Sequence, residues 1–367
     1  MLHHRSKPVV YFVADALGWV QARRLEYIQQ YIGDIKFIPI SAARFAILWN
    51  QGKLRDAYVY FATWRIPSGL SQSGQIKFDE GDYSRFMTSV TSHYNVGGGL
   101  NPAATVASGR DLKETFDTAV NCLRKFKVVT ANSRILFDLL SPHIKNLFYA
   151  PNGLDTDLFL PKRDREYSPG KIRVGWVGKQ KAAKNYSVVE EAFKAFSSQG
   201  VEPKELSVGR QGNKGNGIYS RIVGKVKSKI PPFLIANSTY VDKMLNSFQR
   251  PVRYEDMPQF YHGIDYYLCV SWHEGTPNPA LEAAACGVPV VTTKVGNMPD
   301  LIKHGENGFF VEPNVASVTK AFDEIRKLNA ADYKRLSQNI RKSIMDDWTW
   351  GKNILNYKKA FDLFFKE

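Results

Sequence analysis

Two carboxylates, Glu274 and Glu282, stand with seven residues between them in the segment Ser271-Trp-His-Glu-Gly-Thr-Pro-Asn-Pro-Ala-Leu-Glu-Ala-Ala-Ala-Cys-Gly-Val-Pro-Val-Val-Thr-Thr293. Turn residues open this segment, a short alanine-rich helical stretch follows, Gly287 stops it and an apolar strand resumes. In an open parallel sheet, ligands bind at such strand-to-helix loops, where the unpartnered N–H groups of the helix start favour an anion. Glu282 falls about one turn into the helix with its side chain tilted back toward that start, while Glu274 lies in the loop itself. Carboxylates beside an anion site are poor phosphate ligands but good acceptors for sugar hydroxyls on either side of a diphosphate. The spacing alone also fits an accidental surface pair, so the surroundings have to decide.

The elements that would carry this loop are legible as alternating patterns. Short apolar runs at Val9–Val13, Phe37–Ile40, Val59–Ala62, Phe86–Val90, Val128–Thr130 and Leu147–Tyr149 read as buried strands, with helical periodicity between several of them, as at Leu25, Ile28 and Ile32. After a charged segment with Pro and Gly at 161–171 the pattern restarts with Ile172–Val177, Leu206–Val208, Phe233–Ile235, Tyr266–Val270, Val288–Val291 and Phe309–Val311. Helical stretches accompany them, at Val188, Ala192 and Phe196 and from Val315 to Leu328. The expectation is an α/β chain of two doubly wound Rossmann-like domains, 1–165 and 166–347, followed by a final helix within 348–367. That helix shows one apolar stripe, Ile354, Tyr357, Phe361 and Phe364, whose partner periodicity does not reveal. Gly209–Gly217 reads as a flexible loop.

Composition narrows the class. With 367 residues, 44% of them hydrophobic, the chain can bury a real core and is neither a stapled miniprotein nor a disordered segment. No spanning apolar run or secretory signal is readable, so a cytoplasmic location is expected. Cys122, Cys269 and Cys286 lack metal spacing, and the last two sit in apolar runs as buried thiols would. His262, His273 and His304 show no metal spacing either, and no metal site is expected. The net charge of +15 is concentrated in residues 161–250, with 18 Lys and Arg against 7 Asp and Glu. That excess suits an anion site or, equally, a solvated basic face, and is compatible with peripheral association at an anionic membrane.

From about Ala150 the chain resembles the retaining GT-B glycosyltransferases of family four. The matching pieces are Ala150–Phe159, Val174–Lys179, Asp256–Tyr261, Glu274–Glu282 with Cys286–Val290, and His304–Phe309, in the family's order. The resemblance implies the GT-B fold, two Rossmann-like domains facing a cleft, with the C-terminal helix crossing back to the first. It also implies a nucleotide-diphosphate sugar as donor and co-substrate, no further cofactor, and metal-independent transfer with retention to an acceptor hydroxyl. The acceptor, whether saccharide, lipid-linked or protein, stays open, and nucleic acid is not the expected partner, since the basic excess lies in the donor half.

Carried over by position, Glu282 resembles the residue that binds the nucleotide ribose and Glu274 the one that orients a donor-sugar hydroxyl. Lys179, directly after Gly178, and Lys184 resemble the cations that meet the departing diphosphate. Gly275, Thr276 and Asn278 are the donor-loop residues expected to keep backbone N–H groups, since Pro277 and Pro279 have none. Gly18 is the one glycine in Ala16–Trp19 where the family carries a pair, and His93 closes Phe86–His93 where related enzymes place a histidine against the donor sugar. The alternatives are a catalytically silent sugar-nucleotide-binding or scaffold subunit, and a nucleotide-sugar epimerase or hydrolase of the same fold.

Overall fold

Runs that are apolar throughout, with helices between them, can bury both faces only in a parallel sheet covered on each side. The chain adopts two such sheets in a computed structural model that describes residues 7–15, 20–92, 96, 112–163, 166–180, 182–196, 200–207 and 252–366. The first half runs β1 (Val9–Ala14), α1 (Val20–Tyr31), β2 (Lys36–Ser41), α2 (Ala42–Asn50), β3 (Tyr58–Phe61), α3 (Arg65–Gln72), β4 (Phe86–Val90), α4 (Leu112–Leu123), β5 (Val128–Ala131), α5 (Arg134–Leu140) and β6 (Leu147–Tyr149). Its six strands lie in the order β2-β1-β3-β4-β5-β6, and every pairing is parallel. The second half runs β7 (Ile172–Gly178), α6 (Tyr186–Phe196), β8 (Val201–Ser207), α7 (Met257–His262), β9 (Tyr266–Cys269), α8 (Asn278–Ala285), β10 (Val290–Thr292), α9 (Met298–Leu301), β11 (Gly308–Phe310), α10 (Val315–Ile325), α11 (Ala330–Asp347) and α12 (Trp350–Phe365). These strands form a second parallel sheet in the order β11-β10-β9-β7-β8.

The second sheet has a core on each face. One gathers Tyr261, Tyr267, Leu281 and the alanines of α8 under Ile340, Ile344 and Trp348; the other gathers Trp176, Val189, Phe196, Tyr266, Val318 and Phe322. This is the doubly wound arrangement expected, with a difference at β8. That strand starts at Val201, well before the Leu206–Val208 run, and in Val201-Glu-Pro-Lys-Glu-Leu-Ser207 polar residues interrupt the apolar pattern; among the described residues it pairs with β7. Glu202, Pro203, Lys204 and Glu205 hide the strand from a search for apolar runs. The runs Leu206–Val208 beyond Ser207 and Phe233–Ile235, and the loop Gly209–Gly217, lie outside the described residues.

Helix α12 crosses back, as the resemblance implies. Trp350, Ile354, Tyr357, Ala360, Phe361 and Phe364 all sit in the first half's core. Thr349 caps the helix by accepting from the Lys352 N–H at 3.4 Å, and Trp350 stacks on Tyr27 with ring centroids 5.2 Å apart. The crossing is sewn by the Leu154 N–H on the Trp348 carbonyl at 2.8 Å and Asn353 Nδ2 on the Asn152 carbonyl at 3.0 Å. A side chain at Gly153 would collide with the Trp350 backbone, so glycine is what lets the two segments touch.

Candidate functional site

The C-terminal ends of β7 and β9 deliver two loops to one place. After β7 comes Lys179, half-buried, and then a single helical turn, Ala182–Lys184. Asn185 follows in the left-handed region at φ 52°, a conformation asparagine tolerates, and its Nδ2 on the Pro313 carbonyl at 3.0 Å holds it there. The loop after β9 is tied to this turn by the Trp272 N–H on the Ala183 carbonyl at 3.0 Å. The Lys184 ammonium then donates to the Glu274 carboxylate, and Ser271 Oγ donates to the same Oε1 at 2.8 Å. The two charged side chains are 22% and 11% exposed, so water screens the pair little. Burial alone would lower the Lys184 pKa, but Glu274 outweighs it and the net shift is upward, which keeps the ammonium charged.

Glu282 stands on α8, itself 7% exposed, and its Oε2 accepts from the Tyr261 hydroxyl at 2.7 Å. The helix leaves through Gly287 at φ 72°, whose N–H reaches Ala284 O at 3.0 Å while Val288 N–H reaches Ala283 O at 2.9 Å. That left-handed stop turns the chain straight into the next strand and fixes the helix against the sheet. Tyr267 on β9 donates its hydroxyl to Val177 O at 3.2 Å. Its phenol is held far above the ordinary range, first by burial and then by Cys269, Glu274 and Glu282 among others. His273, 7% exposed, is shifted the other way, since burial disfavours its imidazolium.

Opposite this loop are the C-terminal ends of β4 and β5. A methyl on Gly275 would run into the Thr91 carbonyl, so the two halves meet there backbone to backbone. Asn132 Nδ2 donates to Thr276 Oγ1 at 3.1 Å, and Asn297 Nδ2 donates to the Asn132 carbonyl at 2.8 Å. Farther along, Tyr27 donates to Asp155 at 2.8 Å and the Arg23 guanidinium lies 3.3 Å from the centre of the Tyr254 ring.

Lys184, Glu274, Gly275 and Thr276 therefore share one cluster. Gly178 is buried as the last residue of β7, beneath the Trp176 ring. Asn278 opens α8, but its N–H donates to the Thr276 carbonyl at 2.9 Å and is already used. His93 and Gly18 lie outside the described residues. Ser271, Tyr261 and Asn132 went unnoticed in the sequence. Ser271 is three residues before Glu274, a spacing that could have marked it, whereas the Tyr261 and Asn132 contacts exist only in three dimensions. Among the described residues no group of three or more His, Cys, Asp or Glu side chains is gathered as a metal site, and no helix is long and apolar enough to cross a membrane.

Residues 162–343 match the model of the glycosyl transferases group 1 family. A probable sucrose-phosphate synthase of Thermosipho melanesiensis is 25% identical over 218 residues, which is 59% of this chain and 47% of that protein. The chain thus spans about half the length of the curated relatives it matches. Among solved structures, a sucrose-phosphate synthase of Thermosynechococcus elongatus superposes with a TM-score of 0.70 at 15% identity, covering 98% of this chain and 99% of that one. HepE of Anabaena, solved in complex with UDP-glucose, superposes with a TM-score of 0.62 at 14% identity, covering 96% and 99%. At these identities the structural likeness is one of fold, the GT-B arrangement of two facing halves.

Proposed function

From the premise that residues 162–343 belong to the glycosyl transferases group 1 family, we propose that the chain transfers a sugar from a nucleoside-diphosphate sugar to an acceptor hydroxyl. The observation that carries this reading is the cluster at the ends of β7 and β9. Lys184 and Ser271 both donate to Glu274, and Glu282 follows on the adjoining helix. Glu282 receives the ribose hydroxyls, Glu274 a hydroxyl of the donor sugar, and Lys184 and Lys179 the diphosphate. The HepE structure with UDP-glucose is consistent with such a donor.

Without ligand, Lys184 and Glu274 neutralise each other. A diphosphate arriving beside Lys184 shares its ammonium and leaves Glu274 ready to accept a sugar hydroxyl. As the bond from the anomeric carbon to the diphosphate breaks, its electron pair leaves with the diphosphate, and the lysines stabilise the charge that grows there. The acceptor oxygen bonds to the anomeric carbon on the same face, and its proton passes to the departing diphosphate. The configuration is retained, and lysines meet the leaving group without a divalent ion. His93, with Gly18 on the other loop, belongs to the donor side of this proposal by sequence position alone.

Incubation with nucleotide sugars in the presence of a chelator tests it. Transfer with retained anomeric configuration, read by proton NMR of the product, is expected. An inverted product, or turnover that chelator abolishes and magnesium or manganese restores, would overturn the corresponding part. Donor hydrolysis or epimerisation without transfer would favour the other enzymes of this fold.

A further inference from the structure

Asn132, in the first half, reaches two loops of the second. It directly follows β5, and its own N–H bonds the Val90 carbonyl at 3.3 Å, which fixes it between the ends of β4 and β5. Ser133 beside it caps α5 by accepting from the Leu136 N–H at 3.4 Å. The backbone that carries the Asn132 side chain is therefore anchored in the first sheet. From that anchor Nδ2 donates to Thr276 Oγ1 at 3.1 Å, in the loop between β9 and α8. The Asn132 carbonyl accepts from Asn297 Nδ2 at 2.8 Å, in the loop between β10 and α9. Those two loops also touch each other, since Gly296 stands at φ 53° and a side chain there would run into the Gly275 carbonyl. Gly275 is thus enclosed: the Thr91 carbonyl and Asn132 Oδ1 lie where its own side chain would be.

This joint is built for geometry more than for strength. Asn132 and Asn297 are both buried, yet the side-chain oxygen of each has no hydrogen-bond partner among the described residues. An unpaired buried acceptor costs at least as much as one neutral hydrogen bond gains, so the two amides add little net stability. What they supply is direction, because a hydrogen bond weakens steeply when its donor is bent away from the acceptor. The loop they hold begins beside Glu274, which Lys184 and Ser271 already grip from within the second half. Glu274 therefore stands on a loop supported from both halves, whereas Glu282 stands on α8 and bonds Tyr261 within the second half.

We propose that Asn132 is a positioning residue for the transfer: through Thr276 and Asn297 it sets the loop that carries Glu274, and it does so while the two halves are together. The inference rests on the transferase reading above, in which Glu274 meets the donor sugar and Glu282 the nucleotide. Losing the Asn132 side chain then loosens the sugar end of the donor and leaves the nucleotide end in place. The full chain is compared with Asn132→Ala, Thr276→Val and the double variant. Four quantities are read: amide hydrogen exchange at Gly275 and Thr276, melting temperature, calorimetric affinity for UDP, ADP and GDP, and turnover of the nucleotide sugar that the incubation above identifies. In Asn132→Ala the two amides are expected to exchange about five- to tenfold faster, as the loss of one hydrogen bond allows. Turnover is expected to fall about tenfold or more, because a small displacement of a positioned group is magnified in the rate. Nucleotide affinity and melting temperature should stay nearly the same, which a merely structural role would not give. The double variant should be no slower than the slower single variant, since both changes delete one bond. If Asn132→Ala fails to fold, Thr276→Val, which removes that bond from the other side, is read by the same criteria. Unchanged exchange, unchanged turnover, nucleotide affinity that falls as far as turnover, or losses that multiply in the double variant would each overturn the proposal. If no diphosphate binds and no nucleotide sugar turns over in the unaltered chain, the transferase reading fails, and the exchange rates still decide whether Asn132 holds the loop.

Discussion

Lys184 and Glu274 each supply what the other's burial requires, so neither can be removed quietly. Lys184→Ala takes the ammonium away from a poorly hydrated carboxylate, and we expect a loss of about 1–3 kcal/mol in stability. If the ammonium also meets the leaving diphosphate, turnover should drop about 10²–10³-fold, as when one preorganised donor is removed from other active sites. A solvated surface lysine would change stability by no more than about 0.5 kcal/mol and leave turnover alone. Denaturant unfolding and steady-state rates on the same variant separate these outcomes. His273 offers a pH test. Burial lowers its folded pKa below the ordinary 6.5, so as pH falls the unfolded chain takes the proton first. Its contribution to stability is therefore complete above about pH 6.5 and is lost as pH falls through that value toward the folded pKa. His273→Gln should flatten the decline in the urea midpoint between pH 7 and 5; an unchanged decline would mean other groups cause it.

Elements join the halves at two places, and each makes its own prediction. At Gly275 the loop after β9 meets Thr91 so closely that Gly275→Ala must push the halves apart. Turnover should fall about 10²-fold, since a displacement near 1 Å can cost that much, while circular dichroism stays unchanged. Wild-type turnover in this variant would show that the contact does not matter to the chemistry. At the other junction α12 buries Phe361 and Phe364 in the first half's core. Phe361→Ala should cost about 3–5 kcal/mol, measured by denaturant unfolding. How much of this the sequence revealed depended on whether an element announces itself locally. The apolar stripe of α12 was plain, but the core it enters lies more than two hundred residues away and is fixed by Gly153, whose need to be glycine shows only once Trp350 lies against it. Strand β8 is hidden because Glu202, Pro203, Lys204 and Glu205 break up its apolar pattern. The interior strands are predominantly apolar, and the apolar runs of the sequence fall nearly on their bounds.

Across the whole molecule, two parallel sheets turn their C-terminal edges toward one another, and the loops there bring distant residues together. Glu274, Glu282 and Lys184 stand out in the sequence through the family resemblance, since the spacing of the two carboxylates alone also fits an accidental surface pair and Lys184 alone an ordinary surface lysine. The partners Tyr261, Thr91 and Asn132 depend on the packing of one half against the other, which no local pattern encodes. The proposed function puts the nucleotide on the second half, with Glu282 as its anchor, and the rest of the proposed mechanism follows from that placement. Calorimetric titration of UDP, ADP and GDP into the unaltered chain and into Glu282→Gln tests it most directly. One diphosphate should bind the unaltered chain, and the variant should bind it about 10–150-fold more weakly, the equivalent of losing hydrogen bonds to a charged acceptor worth about 1.5–3 kcal/mol. The melting temperature without ligand should be nearly the same in both. Equal affinity in the two proteins, or no binding of any of the three diphosphates to the unaltered chain, would contradict the assignment.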